Sequence, residues 1–334
     1  MASKIIYDRV FSGIQPSGRP HIGNYLGALR NWVRLQDQSK SAFYSVVDLH
    51  ALTVPQDPVA LKSSIHDVAC VLLACGLDPK KSVIFPQSKV LEHTNLAWLI
   101  MCHTSSTGLN SMPQVKDKAK DTIPKMGLVT YPLLQAADIL LYRASHVPVG
   151  KDQLPHMFLA KSIVTTLNHS LQTDLFVEPE SIIEESACRV CDLKEPEKKM
   201  SKSALKDNAC LYLDDTDDEI LTKLKVATTD CHGIKLSYDP ELRPGVSNLL
   251  TLHSAFSGMS YDEIIASSEG KNTIQFKREV ADHIIEHVRP IRQRLEALRA
   301  DQGYVDQIVT EGTERAQQEA SDMWSKVRTL VGLP

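Results

Sequence analysis

The first half of the chain alternates strand-like and helix-like segments, and this alternation limits the fold more than any other feature. Val10-Phe11-Ser12-Gly13 reads as a buried strand. From Asn24 to Gln36, Leu26, Leu29, Trp32 and Val33 recur at helical spacing. Phe43-Tyr44-Ser45-Val46-Val47 is a second strand, ending at Asp48. Pro58 to Cys75 is a helix with Ile65, Val68, Leu72 and Leu73 on one face and Gly76 just past its end. Val83-Ile84-Phe85 is a third strand. Such alternation predicts an α/β fold, a Rossmann-type parallel sheet flanked by helices. Ligands of these sheets bind beyond the carboxyl ends of the strands, where Gly13, Asp48 and Gln87 fall. After about residue 205 the pattern turns to helices alone, over Asp218–Ala227, Ser247–Ser257, Tyr261–Ala266, Thr273–Leu298 and Val305–Val331. A chain of 334 residues suits two domains. The expected division is a Rossmann-type domain over 1–205 and an all-helical domain over 206–334, with the last helix packing back on the first. The polar stretch Glu195–Asn208 is the expected linker.

Composition narrows the class. Hydrophobic content of 43% and charged content of 23% are ordinary for a globular chain. No apolar run approaches the ~20 residues that span a bilayer, so no membrane partner is expected. Met1 to Val10 carries Lys4, Asp8 and Arg9 and reads as neither a secretory signal nor a full transit peptide. A net charge of −4 is not that of a non-specific nucleic-acid coat protein, although a local basic stripe suffices for RNA. Seven scattered cysteines argue for a reducing compartment, not a disulfide framework. Cys188 and Cys191 form a lone CxxC, and without a second pair no metal site is expected there.

Four segments carry chemistry. In Pro16-Ser17-Gly18-Arg19-Pro20-His21-Ile22-Gly23-Asn24 the prolines and Gly18 prevent regular structure, and a helix opens at Ile22. Its N-terminus offers unpaired N–H groups, Gly23 permits close backbone approach, and His21 can donate to a phosphoryl oxygen. The same residues also suit an ordinary strand–loop–helix connection. Lys198-Lys199-Met200-Ser201-Lys202-Ser203 is a compact cationic loop with two hydroxyls, suited to a pyrophosphate leaving group or simply to solvent. In Tyr131-Pro132-Leu133-Leu134-Gln135-Ala136-Ala137-Asp138 the proline suits a helix's first turn, and Tyr131, Gln135 and Asp138 share one face. Asp138 is embedded among Ala, Ile and Leu and needs a partner. That partner is either the donor-only nitrogen of an indole or a nearby Lys or Arg. The fourth segment, His146-Val147-Pro148-Val149-Gly150-Lys151-Asp152-Gln153, reads as strand then loop, with Asp152 and Gln153 able to bind ribose hydroxyls and an ammonium. His50, just after Asp48, is a further pocket candidate.

Together these segments resemble the class I aminoacyl-tRNA synthetases and, among them, the tryptophanyl-tRNA synthetases of bacterial and mitochondrial type. The resemblance is carried by FSGIQPSG (Phe11–Gly18), HIGN (His21–Asn24), TYPLLQAADILLY (Thr130–Tyr142), VPVGKDQ (Val147–Gln153), KKMSKS (Lys198–Ser203) and PGVSNLL (Pro244–Leu250). It implies a homodimer with a helical anticodon-binding region. The implied reaction is ATP-dependent activation of L-tryptophan to the adenylate, with Mg2+ accompanying the triphosphate, then transfer to tRNA(Trp). By position, Gln15, Pro16, Ser17, Gly23, Asn24, Gly150, Lys151, Asp152, the backbone at Val190, and Lys199, Met200, Ser201, Lys202 and Ser203 would contact ATP. His21, Asn24, Lys118, Lys199 and Lys202 would act in catalysis, Lys118 reaching the triphosphate from another loop. Phe11, His50, Tyr131, Gln135, Asp138 and Gln153 would form the tryptophan pocket. VDLHALTVPQDP and LLACGLDP are most similar to the animal mitochondrial branch, implying the mitochondrial matrix, with bacterial cytoplasm as the alternative.

Two positions depart from the family pattern. Lys151 stands where GEDQ has glutamate, and Ala204-Leu205 follow KMSKS where Asp-Pro is usual. A tyrosyl-tRNA synthetase is the nearest rival, because a phenol also donates a hydrogen bond. A catalytically impaired RNA-binding paralogue is another. A dinucleotide-dependent oxidoreductase is disfavoured, since the first turn lacks GxGxxG. Lys277, Arg278, Arg289, Arg292, Arg294 and Arg299 form a basic stripe on one helical segment, which Pro290 is expected to kink or break. The stripe suits either phosphate contacts with tRNA or a solvated flank.

Overall fold

The computed structural model describes residues 6–106, 109, 125–183, 190–200, 208–229 and 236–334. These form two compact units, neither a continuous run. The first comprises Met1–Ser17, Trp32–Glu184 and Asp301–Pro334, and the second Gly18–Asn31 and Glu185–Ala300. The single boundary expected near residue 205 thus differs from the division by contacts. The chain visits the second unit twice, and its last helix belongs to the first.

Five parallel strands form the first unit's sheet: β1 (Tyr7–Ile14), β2 (Ser39–Val46), β3 (Ser82–Pro86), β4 (His146–Pro148) and β5 (Glu180–Ile182), in the order β3-β2-β1-β4-β5. Phe11 lies opposite Phe43, and Phe43 opposite Val83. All of β3 and the last five residues of β2 are buried, as expected of parallel strands covered on both faces. Strand order reverses between β1 and β4, so Gln15–Ser17 and Gly150 leave carboxyl ends on either side of a topological switch point.

The helices are α1 (Ile22–Asn24), which passes through a π-helical segment (Tyr25–Leu29) into α2 (Arg30–Gln36), then α3 (Asp48–Ala51), α4 (Pro58–Ala74), α5 (Glu92–His103), α6 (Met126–Leu141), α7 (Leu154–Ser170), α8 (Asp217–Lys225), α9 (Pro244–Ser257), α10 (Tyr261–Ser267), α11 (Thr273–Ala300) and α12 (Gln302–Val331). Asp57 caps α4 by accepting from Ala60 N at 2.8 Å, with Pro58 in its first turn.

Two proline expectations need correction. Pro132 lies inside α6, not in its first turn, because the helix begins at Met126. Pro290 lies inside α11, which runs from Thr273 to Ala300, so of the expected kink or break the break does not occur. In both cases buried apolar residues follow the proline, Leu133, Ala136 and Ala137 in one helix and Ile291 and Leu295 in the other. That packing outweighs the ~3 kcal/mol an interior proline costs.

Helix α12 lies against β3. A Cβ on Gly312 would sit 2.1 Å from the carbonyl oxygen of Ile84, and Ala316 and Ala320 are fully buried. Gln317 Nε2 and Ser321 Oγ donate to the buried Glu92 carboxylate at 2.7–2.8 Å. In the second unit, α11 packs on α8 and α9 through Val280, Ile284 and Val288. Helix α8 opens with a capping box, in which Thr216 Oγ1 accepts from Glu219 N and Glu219 Oε2 accepts from Thr216 N.

Candidate active site

Within the first unit the chemistry gathers around Asp138, which the interior of α6 holds at 1% exposure. Its partners among the described residues are neither Lys nor Arg. His50 Nε2 donates to Oδ2 at 2.8 Å, while Gln87 Nε2 and His93 Nδ1 donate to Oδ1 at 2.7 and 2.6 Å. Burial alone would raise this carboxyl's pKa. The N–H groups of His50 and His93 outweigh burial and hold the carboxyl far below the usual range, so Asp138 is an anion at neutral pH. A carboxylate has about four acceptor positions. Among the described residues Oδ1 receives two donors and Oδ2 one, which leaves an acceptor lobe on Oδ2. His93 Nε2 accepts from the Tyr142 hydroxyl at 2.9 Å, and Gln87 Oε1 accepts from Leu49 N at 3.1 Å. Burial pushes the Tyr142 phenol up, which keeps it a donor.

Tyr131 and Gln135 share the face of α6 that carries Asp138, and the Tyr131 ring meets His50 edge-on at 6.2 Å between centroids. Tyr131 Oη donates to His156 Nε2 at 3.2 Å. His156 Nδ1 donates to Gln153 Oε1 at 2.9 Å, and Gln153 Nε2 donates to Asp152 Oδ2 at 2.8 Å. This chain requires a neutral His156, and burial pushes its pKa below the usual value. Gly150 precedes the turn, where a Cβ would lie 2.5 Å from Asp152 Oδ1. Lys151 is exposed beside it. Phe11 belongs to the core beneath, stacked on Tyr142 at 5.5 Å. His93 and His156 escaped the sequence reading, and Gln87 was read only as a strand-end residue. Each is a single polar residue at a strand or helix terminus, and only the fold aims it inward.

The second unit holds His21–Asn24 and the described part of the cationic segment, Lys198, Lys199 and Met200. Ile22 N donates to Leu211 O at 2.9 Å and Leu213 N to Pro20 O at 3.0 Å, fastening the turn before α1. Asn24 Oδ1 accepts from His21 N at 3.2 Å, which gives this residue a capping role at the helix start. A Cβ on Gly23 would lie 2.9 Å from the His21 ring, so the glycine makes room for the folded-back imidazole. The same Cβ would be 3.9 Å from Val190. Val190 O accepts from Met200 N at 3.0 Å, and Asp192 N donates to Lys198 O at 3.0 Å. Asn248 of α9 clamps the backbone of Cys191, accepting from its N–H at 2.9 Å and donating to its carbonyl at 3.0 Å. Met200 is thus buried and Lys199 exposed, with Val190 standing between the cationic segment and Gly23. Gln15 and Ser17 are exposed and Pro16 is buried. Lys118, Cys188, Ser201, Lys202, Ser203, Ala204 and Leu205 lie outside the described residues.

The basic stripe of α11 is largely engaged within its own unit. Lys277 is buried, donating to Lys225 O at 3.3 Å in the last turn of α8 and to Ala227 O at 2.7 Å just past it, where a cation is favourable. Arg289 and Arg292 share Asp217 at 2.6 and 3.0 Å, and Arg292 also donates to Asp215 O at 2.6 Å. Arg299 pairs with Asp214 at 3.1 Å and Arg278 with Asp282 at 3.2 Å. Lys277, Arg289, Arg292 and Arg299 thereby join α11 to α8 and the loop before it, while Arg278 pairs within α11.

The first unit thus holds a buried carboxylate anion with an acceptor position left, and the second unit holds a helix start near Val190, whose carbonyl is bonded to the hairpin that carries Lys199. Comparison with known proteins identifies the family. Residues 8–289 match the family described as tRNA synthetases class I (W and Y). A tryptophan–tRNA ligase of Wolinella succinogenes is 43% identical over 332 residues, covering 98% of this chain and 100% of the relative. The mitochondrial tryptophan–tRNA ligase of Schizosaccharomyces pombe is 39% identical, covering 100% of this chain and 98% of the relative. The crystal structure of the Campylobacter jejuni tryptophanyl-tRNA synthetase complexed with ADP and tryptophan superposes with a TM-score of 0.83 at 30% identity, covering 97% of this chain and 100% of that one. The chain therefore belongs to the class I tRNA synthetases, in the branch that comprises the tryptophan and tyrosine enzymes.

Proposed function

We propose that the protein is a tryptophan–tRNA ligase. A carboxylate oxygen of L-tryptophan attacks the α-phosphorus of ATP and expels pyrophosphate, giving tryptophanyl-adenylate. A ribose hydroxyl of the terminal nucleotide of tRNA(Trp) then attacks the activated carbonyl and expels AMP. Asp138 carries the reading: an anion fixed by three donors, with one acceptor lobe left, suits the indole N–H and rejects a side chain without a donor. Tyr131 and Gln153 hold the substrate's ammonium, and His156 sets their orientation through its two hydrogen bonds. Tryptophan, not tyrosine, is favoured by HIGN, GIQPSG and VPVGKDQ and by the relatives' identity of about two residues in five over nearly their whole length.

His21, the N–H groups of α1 and Lys199 act on the phosphates, stabilising charge as pyrophosphate leaves. Lys118 and Lys202 are assigned the same task by resemblance, as are the ATP contacts of Gln15–Ser17, Gly150–Asp152, Val190 and Ser201–Ser203. Mg2+ enters with ATP as part of the substrate, ligated by the phosphates. The helices of the second unit serve tRNA. Homodimerisation is supported by Leu91 and Trp98, each 68% exposed and seven residues apart at the start of and along α5. The mitochondrial matrix is favoured by VDLHALTVPQDP and LLACGLDP; the curated relatives include both bacterial enzymes and a mitochondrial one. ATP–pyrophosphate exchange with tryptophan and with tyrosine tests the reading. Exchange with tryptophan alone is expected, and exchange with tyrosine alone, or with neither, refutes it.

A further inference from the structure

Within the second unit, α9 and α11 bring together three side chains that the aminoacylation reading does not use. His253 projects from α9, and Glu279 and His283, one helical turn apart, project from α11. One ligand atom from each lies within 4.8 Å of the other two. His253 is fully buried, and its Nε2 has no hydrogen-bond partner among the described residues. The nearest candidate, Glu279 Oε1, is 3.5 Å away and poorly placed to accept. An orphaned buried imidazole nitrogen is costly unless something completes it.

We infer that His253, Glu279 and His283 form a binding site for one borderline divalent cation of the Zn2+ class. Two imidazoles and a carboxylate with a fourth position left for water are a familiar donor set for such ions. Bonds of about 2.0–2.2 Å place ligand atoms roughly 3.3 Å apart around a tetrahedral ion. The His253–Glu279 separation of 3.5 Å is already close to that, and the 4.8 Å limit leaves His283 a side-chain adjustment of at most about 1.5 Å. Supporting groups are in place. His253 Nδ1 is 3.1 Å from Ser257 Oγ, which orients the ring, and the ring stacks on Phe276. Lys271 Nζ holds Glu279 Oε2 at 2.7 Å, so Oε1 alone is offered and the carboxylate ligates through one oxygen. The ammonium opposes a cation there, which makes the site weaker than a closed structural one. Occupied, it clips α9 to α11, and α9 is the helix whose Asn248 clamps Cys191 beside the cationic hairpin.

The test is metal binding to the chelator-treated full chain, with ZnCl2 by calorimetry and CoCl2 by visible absorption, for wild type, Glu279→Gln, His283→Ala and the exposed control His169→Ala. Expected are one ion per chain, a higher thermal midpoint with Zn2+, and affinity at least about tenfold weaker in both site variants but not in the control. Glu279 and His283 are both partly exposed, and Glu279→Gln keeps the side-chain shape, so folding is preserved in at least that variant. Binding that is absent in wild type overturns the proposal. So does binding that is equal in all four proteins, which would mark an adventitious ion on surface histidines.

Discussion

Replacing Asp138 by asparagine separates the two tasks of its carboxylate. Asparagine with its carbonyl in the Oδ1 position still accepts from Gln87 and His93, at 2.7 and 2.6 Å in the wild type. Its amide then faces His50 Nε2, 2.8 Å away, and His50 adjusts by moving its proton to Nδ1 so that Nε2 accepts. Three hydrogen bonds lose their charge assistance, a net destabilisation of about 1–3 kcal/mol. Tryptophan fares worse, since its indole N–H now meets an N–H where the acceptor lobe of Oδ2 was. A lost acceptor with an opposed donor costs about 3 kcal/mol, roughly 10²-fold in the KM for tryptophan. The KM for ATP should change by less than about threefold, because no phosphate-facing group moves. Asp138→Ala is the poorer variant. It orphans three donors at a site 1% exposed, and a cost on the order of 3–5 kcal/mol mixes unfolding with binding. Pyrophosphate exchange over a tryptophan series, beside urea unfolding, gives both quantities. If Asp138→Asn loses stability while its KM for tryptophan stays within about threefold of wild type, the carboxylate only holds His50, His93 and Gln87 together, and the indole assignment falls.

Lys199→Ala should slow adenylate formation by about 10²–10³-fold in kcat with tryptophan binding unchanged, as measured by exchange and by tryptophan titration; a normal rate removes the hairpin from catalysis. Arg292→Ala should destabilise the protein by about 1–3 kcal/mol in urea, because it removes a donor from Asp217 Oδ1 and from the Asp215 carbonyl while Arg289 still holds Asp217 Oδ2, and the salt slope of tRNA binding stays unchanged. A slope lower by about one unit would restore the phosphate-contact reading of the stripe. Burial holds the His156 pKa below its usual value, so the unfolded chain takes up a proton near pH 6.5 that the folded chain refuses. His156 therefore contributes stability that is fully present above pH 6.5 and declines as pH falls toward the folded value. Between pH 7 and 5, His156→Gln should lose less unfolding free energy than wild type, and an equal or larger loss contradicts a neutral His156.

Local pattern made most of the fold readable, and tertiary contact decided the rest. The strands at Val10–Gly13, Phe43–Val47 and Val83–Phe85 were legible because parallel strands buried on both faces leave continuous apolar runs. The helices after residue 205 were legible from their amphipathic period. Pro132 and Pro290 misled because a proline's cost is local, about 3 kcal/mol, while the packing that outweighs it comes from residues distant in sequence. The return of α12 to β3 rests on Gly312 meeting the Ile84 carbonyl, a contact across 228 positions that no periodicity records.

The sites divide in the same way. The helix start at HIGN and the shared face of Tyr131, Gln135 and Asp138 could be read because each is a short segment whose geometry its own helix or turn determines. The bonds that set Asp138's charge could not, even with His50 named as a pocket candidate, since His50, Gln87 and His93 reach it from positions 45 to 88 residues away. Composition is least decisive on α11, where four of the six cations, Lys277, Arg289, Arg292 and Arg299, meet Asp214, Asp217 and the end of α8. A charge run is informative about partners only after its internal counter-charges are counted. By that count Lys277, Arg278, Arg289, Arg292 and Arg299 are already engaged, and tRNA phosphates must compete with carboxylates and carbonyls for them. A scan of the second unit's exposed lysines and arginines, those of the stripe included, by tRNA affinity across salt is the direct way to locate the RNA contact.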